Sequence, residues 1–342
     1  MIFRAKAPLR LGLAGGGTDV YPYSNLYGGA VLNATISMHA YATIEVKEDR
    51  MIVLEAIDNG EKLEYEVIHQ LKIDGKLDLL KEAYNRIAKD YAKGPLSFKL
   101  TTYVDAPPGS GLGSSSTLVV AVIGAFCEWL KLPLGEYDIA QLAYQVERGD
   151  LGIPGGKQDQ YAATFGGFNF MEFYDSDRVI VNPLRIKQEY INELEFNFLL
   201  YYTGKSRISS TIVEAQQRNV KEKNEKAVEA MHRLKEQAIL MKEMLLKGKL
   251  NDMGELLEYG WRYKKQMTEG ISNPVIDEIY ETAKMAGSTG GKISGAGGGG
   301  FMMLYCPGNS RYRVIEALKP FGGEFRRFQF TDYGLITWEA KK

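Results

Sequence analysis

Soft and borderline metal ligands are scarce in this chain: two cysteines and three histidines among 342 residues. Cys127 and Cys306 each lie in an apolar context and no paired Cys spacing occurs. The sequence therefore predicts two buried free thiols, with neither a disulfide nor a structural zinc site. An excess of one charge is lacking too, since 42 Lys and Arg face 43 Asp and Glu for a net charge of −1. That balance lacks the basic footprint of a nucleic-acid binder. No apolar run reaches the length of about 18 residues that a membrane span needs. The opening Met1-Ile2-Phe3-Arg4-Ala5-Lys6 has no apolar core of a secretion signal. These absences lead to the expectation of a cytoplasmic protein with neither nucleic acid nor membrane as partner. No internal repeat, low-complexity linker or signature of oligomeric state stands out.

What is present is an ordinary globular composition, 45% hydrophobic and 25% charged, in a chain long enough for one large domain or two smaller ones. Its most informative stretch is Pro107-Pro108-Gly109-Ser110-Gly111-Leu112-Gly113-Ser114-Ser115-Ser116-Thr117, followed by the apolar run Leu118 to Phe126. That order reads as loop, helix cap and buried helix. Glycine permits close approach of a ligand and positive φ, and Ser114 to Thr117 are expected to supply the cap and first turn. Free N–H groups and the positive end of a helix dipole then converge, which makes an anion site suited to phosphate.

The first hundred residues look strand-rich. Residues 30–46 are dense in β-branched and aromatic side chains, and 51–67 hold two short strand-like runs around Asp58-Asn59-Gly60. Leu79, Leu80, Ala83, Ile87 and Ala88 share one face of a helix over 79–91, and 96–104 is a strand entering the glycine loop. Helices are expected over 115–131, 137–148 and 159–165. From about residue 190 an apolar strand over 196–202 precedes a charged helical region over 209–249, with room for one break, and a further helix over 253–267. The charges over 214–236 read as a solvated face. Asn273-Pro274 opens another helix, and a glycine-rich segment over 290–300 leads into the strand Phe301–Tyr305. The pattern is α+β, with halves 1–190 and 191–342.

Common phosphate loops fail on spacing. Gly204-Lys205-Ser206 resembles the end of a Walker A loop, but Leu199 stands where its first glycine belongs. Gly295, Gly297 and Gly300 have the letters of a dinucleotide fingerprint, yet the next element reads as a strand rather than a helix. The protein-kinase signatures are absent. The segment 108–117 resembles instead the phosphate loop of the GHMP kinases, the superfamily of galactokinase, homoserine kinase, mevalonate kinase and phosphomevalonate kinase. Ala7-Pro8-Leu9-Arg10-Leu11-Gly12-Leu13-Ala14-Gly15-Gly16-Gly17-Thr18-Asp19 is similar to that family's N-terminal substrate motif, and Lys292-Ile293-Ser294-Gly295-Ala296-Gly297-Gly298-Gly299-Gly300 to its C-terminal glycine motif. The three motifs keep the family's order across nearly the whole chain. The resemblance implies a two-domain α+β GHMP kinase fold, ribosomal S5-like then ferredoxin-like, with the active site between the domains and ATP and Mg²⁺ as cofactors.

By that resemblance, Pro108, Gly109, Ser110, Gly111, Leu112, Gly113, Ser114, Ser115 and Ser116 would hold the nucleotide phosphates, while Ser115 and Glu147 would hold the metal. Asp159 matches the family's catalytic aspartate, and Arg10 occupies the place of its basic partner. Thr18 and Asp19 fall in the substrate motif. Without the family, Glu147 reads as a surface glutamate beside Arg148 and Asp150. Asp159 likewise reads as an acid complementing a helix dipole, and Asp19 as a turn residue after glycines. The form Ala-Gly-Gly-Gly-Thr-Asp lacks the Glu and His of galactokinases. It resembles the bacterial D-glycero-D-manno-heptose 7-phosphate kinases, as do residues 31–36 and 202–207. That branch implies a sugar phosphate substrate phosphorylated on its anomeric hydroxyl, and L-fucose kinases share the glycine-rich form. Lys157, Lys205 and Arg207, in Gly- or Ser-rich segments, are candidates for the sugar's phosphate, or are solvated cations. A non-catalytic sugar- and ATP-binding regulator and a helical scaffold over 209–267 remain as readings of another class.

Overall fold

In a computed structural model, which describes residues 1–92, 94–204 and 209–341, the chain runs through the following elements. The first half holds β1 (Ile2–Ala14), α1 (Tyr23–Tyr27), β2 (Gly29–Val46), β3 (Met51–Ala56), β4 (Glu61–Glu66), α2 (Asp78–Asp90), β5 (Phe98–Val104), α3 (Ser114–Leu130), α4 (Glu136–Tyr144), α5 (Gln158–Phe165), β6 (Phe168–Phe173) and β7 (Val179–Pro183). The second holds α6 (Gln188–Asn197), β8 (Phe198–Tyr202), α7 (Ser209–Lys221), α8 (Glu225–Leu246), α9 (Met253–Met267), α10 (Pro274–Met285), β9 (Gly290–Ile293), β10 (Phe301–Tyr305), α11 (Ser310–Leu318), β11 (Glu324–Arg326) and β12 (Ile336–Glu339).

The larger sheet has eight strands and is organised by β2, which pairs antiparallel with β1, with β5 at its C-terminal end and with β6 at its N-terminal end. β1 changes register against β2 between Pro8 and Arg10. The Arg10 amide donates instead to the Leu112 carbonyl at 3.1 Å, so the shift in register ties the strand to the glycine loop. α3 is buried on every side from Val119 to Phe126, which is why its sequence shows no polar face.

The smaller sheet runs β11-β8-β10-β9. With intervening helices this is a β-α-β-β-α-β unit with its strands in the ferredoxin-like order. β10 separates two cores by simple alternation: Phe301, Met303 and Tyr305 join the core shared with the large sheet, whereas Met302 and Leu304 face the core of the C-terminal helices. The two halves thus share apolar packing.

The end of the chain does not stay with the second half. β12 pairs antiparallel with β1, from Phe3↔Glu339 to Lys6↔Ile336, and covers what would otherwise be an open edge. Leu335 fills the space over Gly124 of α3, where a Cβ would stand 2.7 Å from its Cδ1. The single boundary near residue 190 therefore describes the first crossing between halves and not the return of the tail. The charged helical region breaks at 222–224, where Lys223 has φ of 53° and Asn224 caps α8 through the Ala227 amide at 3.1 Å. The helix expected over 137–148 opens after Tyr144 into a π-helical turn, Gln145–Asp150. α6 occupies the approach to β8, which begins at Phe198. Both thiols are free, Cys306 buried and Cys127 only partly so; burial pushes each up to about 12.

Candidate active site

The sequence motifs converge on one cavity of about 480 Å³, lined by Arg10, Gly16, Asp19, Ser115, Glu147 and Asp159 among others. The glycine loop enters it with Gly109, Gly111 and Gly113 at φ of 72°, 81° and 78°. α3 begins directly after Gly113, so its first amides lack carbonyl partners within the helix, and its first three residues line the cavity. The cap differs from the sequence expectation. Gly113, which has no side chain to offer, takes the cap position in left-handed geometry, and the hydroxyls of Ser115 and Ser116, inside the first turn, are engaged elsewhere.

They are engaged by Glu147. Ser115 Oγ donates to its Oε1 at 2.6 Å, and Ser116 Oγ to its Oε2 at 2.6 Å; Gln160 Nε2 adds a donor at 2.7 Å. The π turn carries Glu147 inward, leaving it 1% exposed, so it is no surface glutamate. Arg148 follows it, with Nη2 at 3.4 Å from Glu147 Oε2 and donating to Ser116 Oγ at 3.2 Å.

Asp159 stands in the first turn of α5, but its partner comes from another element. Arg10 Nε donates to Asp159 Oδ1 at 2.7 Å and Nη2 lies 2.6 Å from the same oxygen, while Nη1 donates to the Gly111 carbonyl at 2.7 Å. One guanidinium thus ties the carboxylate to the glycine loop. Asp19 lies beside this pair. Its Oδ1 accepts from the Gly17 amide at 3.1 Å and its Oδ2 from the Gln158 amide at 3.1 Å. Gly156 is required there, since a Cβ would fall 1.9 Å from Asp19 Oδ2. Burial, and then the charge of Asp159, raise the Asp19 carboxyl above its ordinary value, with the amides of Gln158, Gly17 and Asp19 itself opposing them.

The second glycine segment backs the first. Ser294 Oγ donates to the Gly111 carbonyl at 2.8 Å and the Phe301 amide to the Ser110 carbonyl at 2.9 Å. A Cβ on Gly111 would stand 2.4 Å from the Ser294 oxygen, and one on Gly300 2.5 Å from the Ser110 oxygen. Two lysines from the C-terminal half complete the wall. Lys292 Nζ donates to the Gly12 carbonyl at 2.7 Å, and Lys264 Nζ donates to the Gly295 carbonyl. Burial, followed by repulsion from Lys264 and Arg10, holds Lys292 well below its ordinary value.

Residues 78–167 match the GHMP kinases N terminal domain, and residues 240–323 match GHMP kinases C terminal. The D-glycero-alpha-D-manno-heptose 7-phosphate kinase of Campylobacter jejuni is 52% identical over 335 residues, covering 98% of each chain. The chain belongs to the GHMP kinases. The crystal structure of a D-glycero-D-manno-heptose 1-phosphate kinase from Bacteroides thetaiotaomicron superposes with a TM-score of 0.85 at 46% identity, over 99% of this chain and 100% of its own. An L-fucokinase/L-fucose-1-P guanylyltransferase from Bacteroides fragilis is 28% identical over 87% of this chain and 34% of its own length.

In this GHMP kinase the residues picked from sequence divide into three groups. Arg10, Asp19, Pro108, Gly109, Gly111, Gly113, Ser114, Ser115, Ser116, Glu147 and Asp159 line the cavity. Ser110, Leu112, Thr18 and Lys157 do not. Ser110 and Leu112 are fully buried beneath the loop. Thr18 Oγ1 shares its one proton between the carbonyls of Gly15 at 2.8 Å and Ala30 at 2.9 Å and accepts from the Ala30 amide, so it braces the turn. Lys157 is 3% exposed, paired with Asp177 at 2.6 Å and lying over the Tyr144 ring. Its position beside Gly156 hides that it points away. Lys205 and Arg207 lie outside the described residues. Sequence reading passed over Lys264, Lys292, Arg148 and Gln158. For Lys264 a signal existed, a cation on the apolar stripe of its helix.

Among the described residues, no helix is long and apolar enough to cross a membrane, and no group of three or more His, Cys, Asp or Glu is placed to hold a metal.

Proposed function

We propose that this GHMP kinase transfers the γ-phosphoryl group of ATP to the anomeric hydroxyl of D-glycero-D-manno-heptose 7-phosphate, giving the 1,7-bisphosphate and ADP in the cytoplasm. The observation that carries the chemistry is the Arg10–Asp159 pair, set in the same cavity as the free amides of α3. The acceptor rests on the 52% identity across the whole chain to an enzyme of that name.

The loop amides and the α3 N-terminus bind the triphosphate. Asp159 accepts a hydrogen bond from the anomeric hydroxyl, aligns its oxygen on the γ-phosphorus and takes its proton as the new O–P bond forms and the bond to the β-phosphate oxygen breaks. Arg10 holds the Asp159 carboxylate in place through Nε and Nη2 and attracts the negative charge that develops on the attacking oxygen. Asp19 accepts from sugar hydroxyls. Lys205 and Arg207 are our candidates for the sugar's 7-phosphate. The donor set also suits Mg²⁺. Ser115 Oγ and Glu147 Oε1 are adjacent hard oxygens on the cavity wall, a number of protein ligands typical for a cation that takes its other ligands from phosphate and water. When bound there, the metal would neutralise charge on the phosphate oxygens.

³¹P NMR of the protein with MgATP and D-glycero-D-manno-heptose 7-phosphate, L-fucose, D-galactose or D-mannose tests this reading. A new anomeric phosphate signal with the heptose phosphate alone is the expected result. Turnover of a free sugar instead would move the acceptor to the fucose or galactose branch. ATP binding without turnover of any acceptor would leave a regulator.

A further inference from the structure

α9 buries one stripe, Leu257, Gly260, Trp261, Lys264 and Met267, at the three- and four-residue spacing of a helix face. Among the buried residues of α9, Lys264 alone is charged. A buried lysine stem is ordinary packing; a buried ammonium is not, because it gives up its water. Lys264 is 4% exposed and its Nζ has one protein acceptor, the Gly295 carbonyl. Asp19 and Asp159 both attract it, but neither closes an ion pair with it. An ammonium carries three donors, so Lys264 keeps donor capacity at the cavity wall.

Its location says what that capacity serves. Gly295 touches the phosphate loop, since a Cβ on it would stand 2.7 Å from the Gly111 Cα. Gly16 of the substrate motif lies on the other side, where a Cβ would be 3.8 Å from Lys264 Nζ. Lys264 therefore borders the loop expected to carry the donor phosphates and the turn expected to carry the acceptor. Resting on the kinase reading above, we propose that Lys264 is a catalytic residue that donates from the C-terminal half to the oxygens of the phosphoryl group in transfer. Arg10 and the α3 amides act on the same group from the N-terminal half. Charge spreads over those oxygens in the transition state, and a desolvated cation aimed at them acts most strongly there. Lys292 lines the same cavity and donates to the Gly12 carbonyl, but burial and two neighbouring cations hold it well below its ordinary value, so it is the weaker candidate for a charged donor.

The charged groups facing Lys264 are Arg10, which repels it, and Asp19 and Asp159, which attract it; Lys292 lines the same cavity and is itself repelled by Lys264. Burial is the largest influence and brings Lys264 down to about 8. The ammonium is present at neutral pH and is lost as pH rises past that value, so activity that depends on it falls on the alkaline side.

Wild type, Lys264→Met and Lys264→Arg would be assayed for phosphoryl transfer with MgATP and the heptose phosphate, with melting curves for each. Lys264→Met should lose about 100-fold in kcat, with KM for both substrates held within about threefold. The wild-type kcat/KM should decline above about pH 8, and this limb should vanish in Lys264→Arg, whose guanidinium stays charged. A Lys264→Met kcat near that of wild type overturns the proposal, as does a loss confined to KM, which would assign Lys264 to ground-state sugar binding. If Lys264→Met does not melt cooperatively, Lys264→Arg decides: an alkaline limb unchanged from wild type overturns it. An inactive wild-type protein would instead sink the kinase reading itself, and this inference with it.

Discussion

Residues 107–113 and 290–300 are both rich in glycine and both reach the cavity, but they use glycine differently. In the first, Gly109, Gly111 and Gly113 turn the chain through positive φ and deliver it to the start of α3, where amides are left free. In the second, Gly295 and Gly300 also have positive φ, 71° and 87°, but the space beside them is filled by the backbone of the first loop. That segment continues into β10, whose amides are spent on its neighbours. Glycine density therefore marks a close approach without naming what approaches. The element that follows decides it: a helix leaves donors for a ligand, and a strand consumes them.

The comparison can be broken most severely at the cavity itself. Asp159→Asn keeps the shape of the site and removes the charge, and should lose at least ~100-fold in kcat with the fold intact. Near-normal turnover would take Asp159 out of the mechanism and leave the first loop as a binding site only. Next in size are the interlocked glycines. Gly111→Ala and Gly300→Ala each drive a methyl group into a carbonyl oxygen of the other segment, and each should destabilise the fold by ~2 kcal/mol or more in chemical denaturation. Equal damage from the two would support mutual packing, whereas a tolerated Gly300→Ala would show that the second segment yields. The smallest effect is expected at Ser294. Removing its hydroxyl from the Gly111 carbonyl with Ser294→Ala should lower stability by ~1 kcal/mol and raise the KM for ATP only slightly. A large KM effect would mean that the second segment positions the first for its ligand and does more than support it.

Much of this site was legible from residue order. The loop and buried helix over 107–126 are where the pattern placed them, because glycine followed by hydroxyls and an unbroken apolar run has few other solutions. Asn273-Pro274 opens α10, with Asn273 capping the Ile276 amide at 3.0 Å. The serines were harder. Ser115 and Ser116 have the composition of a cap, and only the π turn that swings Glu147 inward redirects their hydroxyls. Lys157 and Thr18 sit in the right motifs yet find their partners away from the cavity, since a motif specifies the path of the backbone and neighbouring elements specify where a side chain finds its partner. Lys264 carried a signal as a cation on the apolar stripe of α9, but what it faces is set only when that stripe packs against the glycine segments.

The order of residues alone determined the kinds of element, the helix start directly after the glycine loop, and the family likeness carried by three glycine-rich segments. Those follow from local rules: steric freedom at glycine, capping chemistry and the period of apolar side chains. Tertiary structure decided which charges meet. Arg10 reaches Asp159 across 149 residues of sequence, Lys264 and Lys292 arrive from the other half, and β12 returns to close the first sheet. Pairings at that range depend on how two sheets share a core, and no local rule encodes the distance between side chains that meet only after the chain has packed.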